Sequence, residues 1–116
     1  MSPALDTTPD LFRAFADLTR LRLLNVLLEG EFCVYDLCDV LDLIQPTVSR
    51  HLAYLRRVGL VAVRQDSKWK YYSIIKKPEG LRRTLLSCMR TCLRETDDLA
   101  ADVARLKKAR GGTRCV

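Results

Sequence analysis

The sequence has 116 residues, of which 48% are hydrophobic, and this suits a single domain with a modest core. The net charge is +6, and no apolar run approaches the roughly 20 residues that a membrane span requires. The first residues, 1–10, lack the basic and apolar regions of a signal peptide, so we expect a cytoplasmic protein.

Two amphipathic helices are predicted before residue 30. The first follows Pro9 and carries the apolar residues of the segment 11–18 on one face. Thr19 is the expected N-cap of the second helix, which has leucines along one face and ends at Gly30.

A helix-turn-helix unit is predicted at about residues 34–58. Residues 34–41 place apolar side chains at helical spacing, residues 42–45 form a short turn, and Pro46 suits the first turn of a second helix. That second helix has an apolar stripe on one side, formed by Val48, Leu52 and Leu55. Helix pairs joined by so short a turn are typical of proteins that place their second helix in the major groove of DNA.

A β-hairpin is predicted next, at about residues 60–75. Residues 60–64 and 69–75 are rich in β-branched and aromatic side chains, and residues 65–68 are typical of a turn. A hairpin directly after a helix-turn-helix forms a wing. We therefore expect a mainly α fold with a small β-hairpin wing (α+β), the winged helix-turn-helix.

A long helix is predicted at about residues 79–109. Its apolar positions recur at close to heptad spacing, and they are Leu81, Leu85, Cys88, Cys92, Leu99, Val103 and Leu106. Such a seam packs on a partner helix, so we expect a homodimer formed through the terminal helices. Residues 1–110 then form one domain, and residues 111–116 form a flexible tail.

Positive charge is concentrated in the helix-turn-helix and the wing. Residues 45–77 carry eight basic side chains and one acidic side chain, whereas residues 1–44 carry three basic and eight acidic side chains. A basic block of this kind is typical of a protein that binds a polyanion, and a solvated charged face is the alternative.

We expect double-stranded DNA to lie against the second helix of the unit and the wing. The candidates for contacts with base edges and nearby phosphates are Gln45, Thr47, Ser49 and Arg50. The candidates for phosphate contacts are Arg56, Arg57, Lys68 and Lys70. A two-fold dimer would bind an operator with inverted-repeat half-sites. The alternative for the helix pair is a surface that contacts protein. For His51 we expect a packed, hydrogen-bonded position, and a phosphate contact is the alternative.

Four stretches of the sequence resemble the ArsR/SmtB family of winged-helix repressors. They are FADLTRLR (residues 15–22), EFCVYDLC (31–38), QPTVSRHL (45–52) and KWKYY (68–72). The resemblance is greatest to the arsenical-resistance branch. It implies a homodimeric repressor that is released from its operator when a metal or metalloid binds.

One position departs from the pattern of that branch. Many arsenic-sensing relatives have the segment ELCVCDLC, in which the first two cysteines are the principal ligands. Here Cys33 matches the first cysteine, Tyr35 replaces the second and Cys38 matches the third. The usual ligand set therefore does not transfer to this chain.

The five cysteines are expected to be reduced, because their number is odd and secretory features are lacking. Cys88 and Cys92 lie one helical turn apart, and their soft thiolates suit trivalent arsenic. Arsenite prefers three thiols, and Cys33 or Cys115 would supply the third, whereas methylarsenite needs only two. Antimonite and cadmium are further candidate inducers. Packing as small apolar residues is the alternative for the pair, and it is the expected role of Cys38.

A thiol redox-responsive or persulfide-responsive repressor of the same fold is the main competing interpretation. A constitutive DNA-binding module with purely structural cysteines is another. We do not expect an enzyme, because the sequence has one histidine and no phosphate-binding glycine loop, nucleophile motif or pair of carboxylates in an apolar setting.

Overall fold

The computed structural model describes residues 3–93 and 96–109. In chain order the elements are α1 (Pro3–Ala14), α2 (Leu18–Leu27), β1 (Phe32–Cys33), α3 (Val34–Leu41), α4 (Gln45–Arg57), β2 (Val61–Asp66), β3 (Trp69–Ile74), α5 (Gly80–Cys88), a π-helical turn (Met89–Leu93) and α6 (Asp97–Ala109). The strands form one antiparallel sheet in the order β1-β3-β2. This architecture confirms the predicted winged helix-turn-helix fold. Within the described residues, no helix is both long and apolar enough to cross a membrane.

The helix-turn-helix consists of α3 and α4, which lie within the predicted residues 34–58. α3 ends where Asp42 adopts the left-handed conformation, with a φ of 55°, and redirects the chain. α4 begins at Gln45, and Pro46 lies in its first turn, where a missing N–H breaks no intrahelical bond. The predicted apolar stripe of α4 is buried in the core, and it comprises Val48, Leu52 and Leu55. Burial of this stripe turns the opposite face of α4 outward.

The wing consists of β2 and β3. Its turn holds only Ser67 and Lys68, because Asp66 pairs with Trp69 across the hairpin. Ser67 has a φ of 57°, as a two-residue hairpin turn of this kind requires. The predicted turn at residues 65–68 is therefore too long by two residues. The first two of these residues instead extend β2, which lies at the edge of the sheet and is exposed at its C-terminal end.

Strand β1 is an element that the sequence did not predict. Phe32 pairs with Tyr72, and Cys33 pairs with Tyr71, so β1 joins the segment before α3 to the wing. Two residues are too few to display the alternation of apolar and polar side chains by which a strand is recognised.

Helix α2 begins two residues earlier than expected. Its N-cap is Asp17, whose Oδ1 accepts a hydrogen bond from the backbone N–H of Arg20 at 3.1 Å. A carboxylate at this position also interacts favourably with the positive end of the helix dipole, which explains why Asp17 and not Thr19 caps the helix. α1 likewise begins at Pro3, so Pro9 lies inside it.

The prediction of one long helix at residues 79–109 is wrong. α5 leads into the π-helical turn, and α6 begins separately after Thr96. The N–H of Ala100 donates to the carbonyl of Thr96 at 2.9 Å, and acidic residues occupy the first turn of α6, as is typical of a helix start. The expected tail at residues 111–116 lies outside the described residues.

The predicted intermolecular seam is also not continuous. α6 lies against α2 and α3 of its own chain. Leu99 and Leu106, which we assigned to the seam, are buried there, with 2% and 3% of their surfaces exposed. The physical reason is that α6 is a helix separate from α5, so its apolar side chains do not continue one face of α5 and pack instead on α2 and α3.

Candidate DNA-binding surface and thiol site

The outward face of α4 carries the side chains that we predicted to read DNA. Gln45 and Arg50 are exposed, and Thr47 and Ser49 are half-buried. Nε2 of Gln45 donates a hydrogen bond to Oγ of Ser49 at 2.9 Å, which orients both side chains on the first turns of the helix. The four residues therefore form one polar surface at the N-terminal end of α4. This end enters the major groove in helix-turn-helix proteins.

A cleft of about 360 Å³ separates α4 from the wing. It is lined by Ser49, Leu52, Ala53, Arg56, Arg57 and Tyr72. Arg56 and Arg57 are both exposed, so two guanidinium groups stand beside the cleft. Guanidinium groups match the geometry of phosphate oxygens and bind them with two parallel hydrogen bonds. The cleft suits a segment of phosphate backbone.

Tyr54 makes contacts beside the candidate DNA-binding surface that sequence reasoning missed. Its ring lies between two guanidinium groups, with Cζ of Arg20 at 4.3 Å and Cζ of Arg57 at 4.9 Å from the ring centroid. Its hydroxyl donates to the carbonyl of Asp10 at 3.0 Å. Tyr54 therefore ties α1 and α2 to α4 and orients Arg57, one of the predicted phosphate-binding residues. The only indication of these contacts in the sequence was that Tyr54 lies on the side of α4 opposite the apolar stripe.

His51 lies at the edge of the buried face of α4 and is half-buried. Its Nδ1 is 3.4 Å from Nη1 of Arg20, which has no acceptor atoms, so the ring accepts this hydrogen bond. Burial lowers the pKa of His51 below its ordinary value, Arg20 and Arg50 lower it further, and Asp17 opposes them. The neutral ring thus joins α4 to α2.

The basic residues of the wing differ in how much of their charge is available. Lys68 and Lys70 are exposed, and Nζ of Lys68 lies 5.4 Å from the centroid of the Trp69 ring. Arg64 instead pairs with Glu31 at 2.7 Å, and this hydrogen bond holds the pKa of Glu31 below its ordinary value. Lys68 and Lys70 are therefore better placed than Arg64 to meet DNA phosphates.

The thiols of Cys88 and Cys92 are free and exposed to solvent. Cys88 is the last residue of α5, and Cys92 lies in the π-helical turn, where its Sγ is 3.4 Å from Oγ1 of Thr91. The buried face of this segment is formed instead by Leu86 and Met89. Neither cysteine is a core residue of its own chain, so both sulfurs are accessible to a ligand.

The other cysteines have different surroundings. Cys33 is 1% exposed and disulfide-bonded, contrary to the expectation of reduced thiols, so its sulfur is not a thiolate ligand in this form. Cys38 packs against the core as expected. Cys115 lies outside the described residues. In the part of the chain that the structure describes, no three His, Cys, Asp or Glu side chains are grouped so that they could hold a metal ion, and Cys33 is not brought to the exposed pair.

A family model described as "Bacterial regulatory protein, arsR family" matches residues 17–63. The arsenical resistance operon repressor of Escherichia coli K12 is 51% identical over 65 residues, which are 55% of this chain and 56% of that protein. The arsenic resistance transcriptional regulator ArsR1 of Pseudomonas putida KT2440 is 45% identical over 69 residues, 59% of this chain and 54% of that protein. The chain thus spans about half the length of these relatives, which are named as regulators and not as enzymes.

A solved structure extends the similarity beyond the segment that the family model matches. HlyU from Vibrio cholerae has a TM-score of 0.65 and 30% sequence identity with this chain. The superposition covers 78% of this chain and 95% of the HlyU chain.

Proposed function

Because the chain belongs to the ArsR family of bacterial regulatory proteins, we propose that it is a homodimeric transcriptional repressor whose DNA binding is reversed by a thiophilic metalloid. One observation carries the DNA-binding part of this proposal. The polar N-terminal surface of α4 and the basic wing lie side by side, and two arginines line the cleft between them. We expect this activity in the cytoplasm, because its ligand is chromosomal DNA.

In this proposal, Gln45, Thr47, Ser49 and Arg50 contact the operator in the major groove. Arg binds guanine with two hydrogen bonds and Gln does so with adenine, so Arg50 and Gln45 supply sequence choice. Contacts of Arg57, Lys68 and Lys70 with phosphates add affinity that does not depend on sequence.

A homodimer presents this surface twice, and its operator is an inverted repeat with half-sites about one helical turn apart, or a multiple of that distance. Exposed apolar side chains support the dimer. Phe12 on α1 and Leu18 at the start of α2 are 52% and 54% exposed. Large apolar side chains that are exposed on the surface are a feature of protein interfaces.

Cys88 and Cys92 are the proposed ligands of the inducer. Their thiols are free, exposed and one turn apart, which allows both sulfurs to bind one trivalent arsenic atom. Methylarsenite requires no further thiol from the protein. Arsenite requires a third, for which Cys33 or Cys115 is the candidate under reducing conditions. Antimonite and cadmium are alternative ligands of the same thiol pair.

A thiol redox-responsive or persulfide-responsive repressor is the second candidate function, and the same exposed thiols favour it. A direct disulfide between residues one turn apart on a helix is strained, because the two Cβ atoms do not point toward each other. A polysulfide bridge is longer and relieves this restriction. In this case the inducer is an oxidant or a persulfide donor.

The experiment that separates these functions is an operator-release titration. The operator is first selected from a pool of random duplexes, and fluorescence anisotropy then follows its release by arsenite, methylarsenite, antimonite or cadmium in the presence of a reductant. We expect release by an arsenical under reducing conditions. Release only by an oxidant or a persulfide donor, without reductant, would favour the second function, and failure to select any duplex would refute both.

A further inference from the structure

A buried carboxylate on α6 binds two arginines from different parts of the chain. Asp102 is 0% exposed. Its Oδ2 accepts from Nε of Arg22 on α2 at 2.9 Å, and its Oδ1 accepts from Nη2 of Arg22 at 3.0 Å and from Nη2 of Arg105. We call these three residues the Asp102 cluster.

The Asp102 cluster also holds the end of α3. Nη2 of Arg22 donates to the carbonyl of Leu41 at 2.8 Å, and Nε of Arg105 donates to the carbonyl of Val40 at 2.8 Å. Both carbonyls belong to the last turn of α3. The next residue is Asp42, whose left-handed conformation directs the chain toward α4. The position of α6 is therefore linked by hydrogen bonds to the turn of the helix-turn-helix.

The same helix is joined through the backbone to the thiol pair. Cys88 ends α5, Cys92 lies in the π-helical turn, and α6 begins at Asp97. For one ligand to bind both sulfurs, the two side chains must converge, and the winding of the π-helical turn must adapt. Short π-helical segments are frequent at functional sites. Only a few residues separate this turn from α6, so a change in its winding displaces the start of α6.

We infer that the Asp102 cluster couples ligand binding at Cys88 and Cys92 to the position of α4. When the thiols are empty, α6 is docked and holds the turn before α4 in the conformation that binds DNA. When a metalloid bridges the thiols, α6 rotates, the hydrogen bonds to Val40 and Leu41 break, and α4 loses its position. This inference rests on the proposed function and adds its mechanism of regulation.

The chemistry of the cluster suits a switch better than a purely stabilising role. A buried ion pair contributes little net stability, because its desolvation offsets most of the attraction, and a well-packed apolar replacement is often as stable. Its hydrogen bonds do require one docked geometry, so α6 is either in register with α2 and α3 or released. Physical coupling requires an element that has two discrete arrangements, and the ligand at each site must favour one arrangement over the other.

The test measures the coupling itself. The operator affinity is measured with and without saturating methylarsenite, and the methylarsenite affinity is measured with and without operator. Linkage requires the two ratios to be equal, and we expect a factor of about 5–150 in the wild-type homodimer, as is typical of allosteric proteins.

The variants are chosen to preserve folding. Arg105→Ala removes the bond to Val40 but leaves Asp102 paired with Arg22, and the Arg105 side chain is 48% exposed. Lys107→Ala is the matched control, because it removes an exposed positive charge from the same helix. We expect Arg105→Ala to bind methylarsenite as the wild type does but to bind operator more weakly, with an affinity near that of the methylarsenite-bound wild type, so that its coupling factor falls to near 1. Lys107→Ala should keep the wild-type affinities and the wild-type coupling factor.

Asp102→Asn is a second variant, which keeps the shape of the side chain and removes its charge. If Arg105→Ala keeps the wild-type coupling factor, the inference is wrong but the proposed function is unaffected. The same conclusion follows if Asp102→Asn folds and keeps the wild-type coupling factor. A wild-type protein that binds operator but none of methylarsenite, arsenite, antimonite and cadmium, or binds them without coupling, refutes the proposed function and the inference with it.

Discussion

Asp102 and Arg22 lie 80 residues apart in the sequence, and their side chains form an ion pair with two hydrogen bonds of 2.9 and 3.0 Å. The carboxylate is fully buried, whereas the Arg22 side chain is 18% exposed. The hydrogen bonds that Arg22 donates to Asp102 raise the pKa of Arg22 above its ordinary value. This pair ties the C-terminal helix α6 to α2, and its burial leads to a testable prediction about stability.

Asp102→Ala is expected to lower the free energy of unfolding by about 3–5 kcal/mol, because it leaves the partly buried guanidinium of Arg22 without its partner. Urea denaturation followed by circular dichroism measures the change. Asp97→Ala is the matched control. It removes an exposed carboxylate from the first turn of the same helix and should cost no more than about 1 kcal/mol. Equal losses in the two variants would contradict the role assigned to Asp102.

Arg50→Ala is expected to weaken binding to the selected operator by about 1–3 kcal/mol, the usual contribution of a good base contact. Binding to random duplex should change much less, because the contact reads sequence. Fluorescence anisotropy on both duplexes measures the difference, and Arg83→Ala, an exposed arginine on α5, is the control. The same loss on both duplexes would mean that Arg50 contacts only phosphate.

Cys88→Ser and Cys92→Ser are each expected to leave operator binding intact and to abolish release by arsenicals. The reason is that a hydroxyl replaces the soft thiolate that the metalloid requires. The measurement is operator release by methylarsenite under reducing conditions. Cys38→Ala is the control, because this half-buried cysteine packs against the core and should keep the response. A full response in the double variant Cys88→Ser/Cys92→Ser would move the ligand site elsewhere in the chain.

Tyr54→Leu is expected to weaken binding to operator and random duplex alike, because it removes the ring on which Arg57 stacks and so disorders a phosphate contact. Tyr54→Phe keeps the ring and loses only the hydrogen bond to the carbonyl of Asp10. It should therefore retain DNA binding, and lower the free energy of unfolding by about 0.5–1.5 kcal/mol. Salt titrations of affinity separate the two variants, and a comparable loss of DNA binding in Tyr54→Phe would argue against the stacking role.

His51 is expected to make stability depend on pH in the weakly acidic range. Burial holds its pKa below the ordinary value, so the unfolded chain takes up the proton at a higher pH than the folded chain does. The contribution of neutral His51 to the free energy of unfolding is complete above its pKa in the unfolded chain, about 6.5. This contribution is lost as the pH falls through that value toward the pKa of His51 in the folded chain. Thermal denaturation at about pH 7.5 and pH 5.5 compares the wild type with His51→Gln. The wild type should lose more stability on acidification, and equal losses would refute the assignment.

Local patterns were sufficient to predict the helix-turn-helix and the wing. The apolar stripe of α4, the proline in its first turn and the β-prone segments around Ser67 are all features of short segments, and their energetic preferences act over a few residues. The outward face of α4 followed directly, because a helix that buries Val48, Leu52 and Leu55 must expose the side chains opposite them.

The C-terminal region was predicted less well, although one signal was present. Asp102 lies three residues after Leu99 and four before Leu106, so it shares their buried face. A carboxylate at such a position implies a buried partner, since an unpaired charge is too costly to bury. The sequence alone does not identify that partner as Arg22, because the two residues meet only after α6 has folded back.

The sequence by itself determined the type of fold, the polar surface of α4, the basic wing and the pair of cysteines one turn apart, because each depends on spacing within a single element. Only the tertiary structure decided that the C-terminal segment is two helices, that β1 joins the wing, that Tyr54 orients Arg57 and that Asp102 links α6 to the end of α3. These features depend on contacts between residues far apart in the chain, and such contacts arise from packing and charge compensation, which no local pattern records.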